Sequence, residues 1–110
     1  MDKPWLASYE PGVPAQLSYT DQSLGDRLDA TARRYPHHIA TNFVLKYAVG
    51  GRLPIGGKLT YQHLNDLVNR MAAALAELGV GKGARVAVML PNSPHYIITF
   101  FAAMRLGAIV

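Results

Sequence analysis

The chain has 110 residues, half of them hydrophobic, with no cysteine and with 11 Lys and Arg against 7 Asp and Glu, a net charge of +4. This length holds one domain, the apolar half excludes a disordered tail, and the missing cysteine excludes disulfide scaffolds, thiolate metal sites and cysteine nucleophiles. The positive charge is spread from Lys3 to Arg105, with Arg33 and Arg34 as its one adjacent pair, so no nucleic-acid partner is expected from it.

Residues 1–22 read as an extended arm. Pro4, Pro11, Gly12 and Pro14 forbid a long helix. Trp5, Leu6, Tyr9, Leu17 and Tyr19 are too large and apolar for a free tail, so the arm is expected to lie along the folded body or along a partner. No apolar run follows Lys3, and no signal peptide is expected. A first helix is predicted over residues 24–35, with Ser23 as its cap and Asp26 placed where a negative charge suits a helix start. Leu24, Leu28 and Ala32 form its apolar stripe, and Pro36 ends it. Residues 39–46 alternate as a strand does. Gly50-Gly51, Pro54 and Gly56-Gly57 then predict a hairpin that returns near Lys58 and Leu59.

A second helix follows, capped by Thr60 and closed by Gly79. Leu64, Leu67, Val68, Met71, Leu75 and Leu78 make a sustained helical stripe, while Asn65, Asp66, Asn69, Arg70 and Glu77 are expected in water. Residues 85–90 are apolar without alternation, the pattern of a strand buried on both faces of a parallel sheet. Ser93 caps a third helix that opens on Pro94, runs to Leu106 and stops at Gly107; residues 108–110 begin another strand. The expected fold class is α/β, a βαβαβ arrangement with mostly parallel strands joined by right-handed crossovers and preceded by the arm. The most apolar window, residues 97–110, is broken by Arg105 and Gly107 and is shorter than the roughly 20 residues a bilayer requires. Its helix is apolar almost all round, which demands cover on several sides. The 110 residues are therefore expected to be a piece of a larger domain.

Few residues invite a chemical reading. Gly79-Val80-Gly81-Lys82-Gly83 looks like a phosphate loop, but Ala76 stands where that loop needs Gly and Gly83 where it needs Ser or Thr. It also leads from helix into strand, the reverse of the order that aims helix amides at an anion, so it reads as a tight connection. His37, His38, His63 and His95 show no zinc spacing. Ser93 and His95 suggest a nucleophile and base, yet no strained elbow surrounds Ser93, and helix capping is the better account. Tyr96, Phe100, Phe101 and Met104 sit at helical spacing and read as core. Pro91-Asn92-Ser93 keeps a weaker functional reading, since it lies at the carboxyl end of an expected parallel strand, where open α/β sheets bind ligands.

Four segments in order resemble one family. Lys58-Leu59-Thr60-Tyr61-Gln62-His63-Leu64 resembles the first core motif of the adenylate-forming, AMP-binding enzymes. The spacing from Leu78-Gly79-Val80-Gly81-Lys82-Gly83 through Arg85-Val86-Ala87-Val88-Met89-Leu90 to Pro91-Asn92-Ser93 is similar to that family, and Met104-Arg105-Leu106-Gly107-Ala108-Ile109-Val110 resembles the opening of its second core motif. Pro4-Trp5-Leu6, Tyr9 and Gly12-Val13-Pro14 resemble the leader of its bacterial long-chain fatty-acid–CoA ligases. His63 departs from the acid usual at its place, and residues 46–57 are longer than the same stretch in many relatives.

The resemblance implies a ligase that joins a fatty acid to ATP as an acyl adenylate, with magnesium, and then passes the acyl group to coenzyme A. It implies residues 1–22 as an arm and 23–110 as the N-terminal part of an AMP-binding domain. The family's phosphate loop and its later catalytic segments would lie past Val110, so no catalytic, cofactor-binding or metal-binding residue is assigned here and the fragment alone is expected to be inactive. A cytoplasmic home, peripheral contact with the inner membrane face and a homodimer formed through the arm are further expectations. The alternatives are a stand-alone α/β interaction module and a fragment of another adenylating ligase, acting on an aryl acid or stopping at the acyl–AMP.

Overall fold

The computed structural model describes residues 3–110, so the first two residues of the arm lie outside the described part. A short 3-10 helix over Pro4–Ser8 interrupts the arm, and the elements that follow are α1 (Leu24–Arg34), β1 (Ile39–Ala48), β2 (Leu53–Thr60), α2 (Tyr61–Glu77) and α3 (Pro94–Arg105). Helix α1 begins in a full capping box. The Ser23 hydroxyl accepts from the Asp26 amide at 3.1 Å, and the Asp26 carboxylate accepts from the Ser23 amide at 3.1 Å. Thr60 caps α2 by accepting from the His63 amide at 3.2 Å.

Strands β1 and β2 form the expected hairpin, antiparallel, with Ile39 opposite Thr60 at its base and Ala48 opposite Leu53 near its tip. Gly56 packs so closely on β1 that a Cβ there would fall 1.8 Å from the Phe43 carbonyl oxygen, so only glycine fits. The hairpin is longer than expected because alternation carries on through Tyr47 and Ala48.

The core lies among the three helices and the hairpin base. Leu28, Leu64, Val68, Ala72, Ile98 and Ala102 are buried together, with Leu59, Met71, Leu75 and Phe101 packed half-buried against them. Val68 is fully buried, which contributes about 1.5–3 kcal/mol of transfer free energy. Ala102 and Ala103 are also fully buried, small side chains that let α3 approach its neighbours closely.

The mixed α/β architecture stands, but the expected βαβαβ ladder is not seen. The paired strands are antiparallel. Residues 85–90 form no strand; Arg85 and Ile109 make one parallel bridge, flanked by Val86 N to Ile109 O at 2.8 Å and Ile109 N to Ala84 O at 2.7 Å. A strand needs a ladder of such partners, and here the two segments meet over a few residues. Leu78 leaves the apolar stripe and stands 81% exposed, because α2 ends at Glu77 and Leu78 serves as its C-cap. Ser93 has extended cap backbone but its hydroxyl makes no capping bond. The large arm residues do not enter the body: Trp5, Leu17 and Tyr19 are all exposed, and Thr20 touches α1 by accepting from the Arg27 guanidinium at 3.1 Å. The radius of gyration, 19.1 Å against about 13 Å for a compact chain of this length, reflects the projecting arm and hairpin. Among the described residues no helix is long and apolar enough to cross a membrane.

Candidate functional site

The segment singled out before α3 does border a cavity. Asn92 and Ser93 line a cleft of about 330 Å³ together with Pro94, Tyr96 and Ile97 of α3 and with Thr41, Asn42 and Phe43 of β1. Pro91 is not among its walls. Ser93 is extended, at φ −143° and ψ 164°, and Pro94 then opens the first turn of α3, whose start forms one wall of the cleft while β1 forms the other. The Ser93 carbonyl accepts from the Tyr96 amide at 3.1 Å, while its hydroxyl stays free of the helix end. Pro94 has no N–H, which thins the donor set that a helix start offers to an anion. The Thr41 hydroxyl is buried and has no hydrogen-bond partner among the described residues.

The chemistry of these walls is neutral. Asn42 and Asn92 offer carboxamides, Ser93 a hydroxyl, and Phe43 and Tyr96 aromatic surface. The cleft holds no carboxylate, imidazole or ammonium, so it has the means to hydrogen-bond a ligand but no group to move a proton near neutral pH. The contribution of residues 41–43 was not legible in the sequence, where they read as ordinary strand.

The glycine-rich connection after α2 is structural. Gly79 adopts φ 87° and Gly83 φ 81°. The amides of Gly79 and Val80 donate back to Ala76 and Leu75, Gly83 N donates to Gly107 O at 2.9 Å, and Ala84 N donates to Gly81 O. Those four amides are committed to the chain itself.

The histidines do not converge. Among the described residues no three His, Asp or Glu side chains come close enough to hold a metal ion. His38 meets the edge of the Tyr35 ring at 5.2 Å. His95 borders a separate groove with Leu67, Met71 and Ile98. No hydrogen bond joins Ser93 to His95 among the described residues, so they form no nucleophile and base pair.

The strongest polar cluster is elsewhere. Arg105, in the last turn of α3, reaches Asp29 of α1 at 2.7 Å and Asn65 of α2 at 3.1 Å, and also donates to Asn69. Asn65 and Asn69 therefore do not simply face water, as the helical pattern implied; they accept from the one charged side chain of α3. The available signal was Arg105 itself, a lone charge in an apolar window. Asp26 lies nearby, and the Ser23 hydroxyl and amide donating to its carboxylate hold it below the ordinary aspartate range, with smaller help from the charges of Arg105 and Arg33.

Residues 28–110 match the family model described as "AMP-binding enzyme". The chain is 35% identical over 108 residues to a long-chain-fatty-acid–CoA ligase of Bacillus subtilis, covering 98% of this chain and 17% of that protein. It is 36% identical over 106 residues to a salicyl-AMP ligase / salicyl-S-ArCP synthetase of Mycobacterium tuberculosis, covering 96% of this chain and 18% of that one. Among solved structures it is similar to the N-terminal subdomain of NpsA from Klebsiella oxytoca, with a TM-score of 0.66 and 28% identity over 78% of this chain and 20% of that chain. The chain thus spans about one sixth of the length of the curated relatives it matches.

Proposed function

The chain belongs to the AMP-binding enzyme family of adenylate-forming ligases, and from that premise we propose that it forms the opening part of the large N-terminal domain of a long-chain fatty-acid–CoA ligase. In that enzyme a fatty carboxylate attacks ATP to give the acyl adenylate and pyrophosphate, and the thiol of coenzyme A then displaces AMP to give the thioester. Magnesium would accompany the ATP. Among the described residues no three His, Asp or Glu side chains gather where such an ion could sit. The role of this segment is scaffolding: residues 23–110 build one wall of the domain, and residues 1–22 extend from it as an arm that pairs two copies. Peripheral contact of a cytoplasmic enzyme with the inner membrane face belongs to the same reading.

The observation that carries it is the match to a fatty-acid ligase over 98% of the chain, a span that takes in most of the arm. A second substrate, an aryl acid, is favoured by the nearly equal identity to the salicyl-AMP ligase. The test is to read the coding DNA past Val110 and to assay the encoded protein. An open frame into a Ser/Thr/Gly-rich loop ending in Lys, with ATP–pyrophosphate exchange driven by long-chain fatty acids, is the expected result. Exchange driven by salicylate alone selects the aryl reading. A stop codon directly after Val110 overturns the ligase and leaves an interaction module.

A further inference from the structure

We draw no further inference here: the strongest candidate, the cleft between β1 and the start of α3 with the buried Thr41 hydroxyl in its wall, carries nothing, because the chain spans about one sixth of the length of its relatives and nothing in the structure shows what covers that cleft.

Discussion

The guanidinium of Arg105 donates to the Asp29 carboxylate at 2.7 Å across 76 positions of sequence. This ion pair, with Asn65 and Asn69 beside it, fastens the C-terminal end of α3 to both other helices. Its side chains keep 18% and 32% of their surface, so desolvation is partial and the pair is neither a surface ornament nor a buried charge.

Replacing Arg105 with Ala is expected to destabilise the chain by about 1–3 kcal/mol, since it strands three acceptors at once. R105K should recover less than half of the loss, because one ammonium cannot reproduce the planar fork. Urea denaturation of the three proteins measures both effects, and an unchanged midpoint for R105A would show that the cluster holds nothing.

The hairpin offers a paired test at neighbouring glycines. Gly56→Ala drives a methyl into the Phe43 carbonyl, while Gly57→Ala meets nothing within 4 Å. G56A is expected to lose hairpin structure in far-UV circular dichroism, and G57A to stay within about 0.5 kcal/mol of wild type.

Core packing makes a third prediction. Val68→Ala removes two methylene equivalents from a site with no solvent exposure, and should cost about 2 kcal/mol once the residual cavity is included. Ala102→Leu should cost a comparable amount, about 1–3 kcal/mol, by overpacking the contact between α2 and α3. Thermal unfolding distinguishes these from a site that simply relaxes.

The capping box predicts a pH dependence. Ser23 lowers the pKa of Asp26, so the folded state favours the carboxylate. The stabilisation is fully present above the ordinary aspartate value of about 3.9 and fades as the pH falls below it through the folded-state value. Ser23→Ala should lower the melting temperature at neutral pH, and the gap between variant and wild type should narrow in acid. A gap that stays constant down to the acid limit would remove Asp26 from the account.

For the ligase reading, the 110-residue chain by itself should show no ATP–pyrophosphate exchange with any carboxylate. Its cleft beside Ser93 has no acid or base, and the amides of Gly79, Val80, Gly83 and Ala84 are already bonded within the chain. Exchange by a preparation free of other adenylating enzymes would contradict this.

The local elements were legible because local physics fixes them. Ser23 with Asp26, Thr60 before the stripe from Leu64 to Leu75, and the glycines at 50 and 51 each declare a cap, a face or a turn within a few residues. What escaped depends on distance. Periodicity could say that Asn65 and Asn69 oppose the apolar stripe, but not that an arginine forty positions away comes to meet them. The apolar run at 85–90 carried a parallel-strand pattern, yet a ladder requires neighbours, and that run finds one short partner around Ile109. The cleft was half visible: Asn92 and Ser93 had a topological argument, while Thr41 and Asn42 joined them only through the hairpin's position in space.

The bonds that join Gly83 to Gly107, Val86 to Ile109 and Ile109 to Ala84 close residues 84–109 into a loop with α3 inside it. A helix held at both ends of its loop cannot fray away from the core one end at a time. Opening it means releasing the clasp and the Arg105 anchor together, so these amides and those of α3 form one cooperative unit. In hydrogen exchange the lone bridge at Ile109 should therefore be protected as strongly as the helix it encloses, whereas the tip of the hairpin, at the other extreme of the fold, should exchange freely.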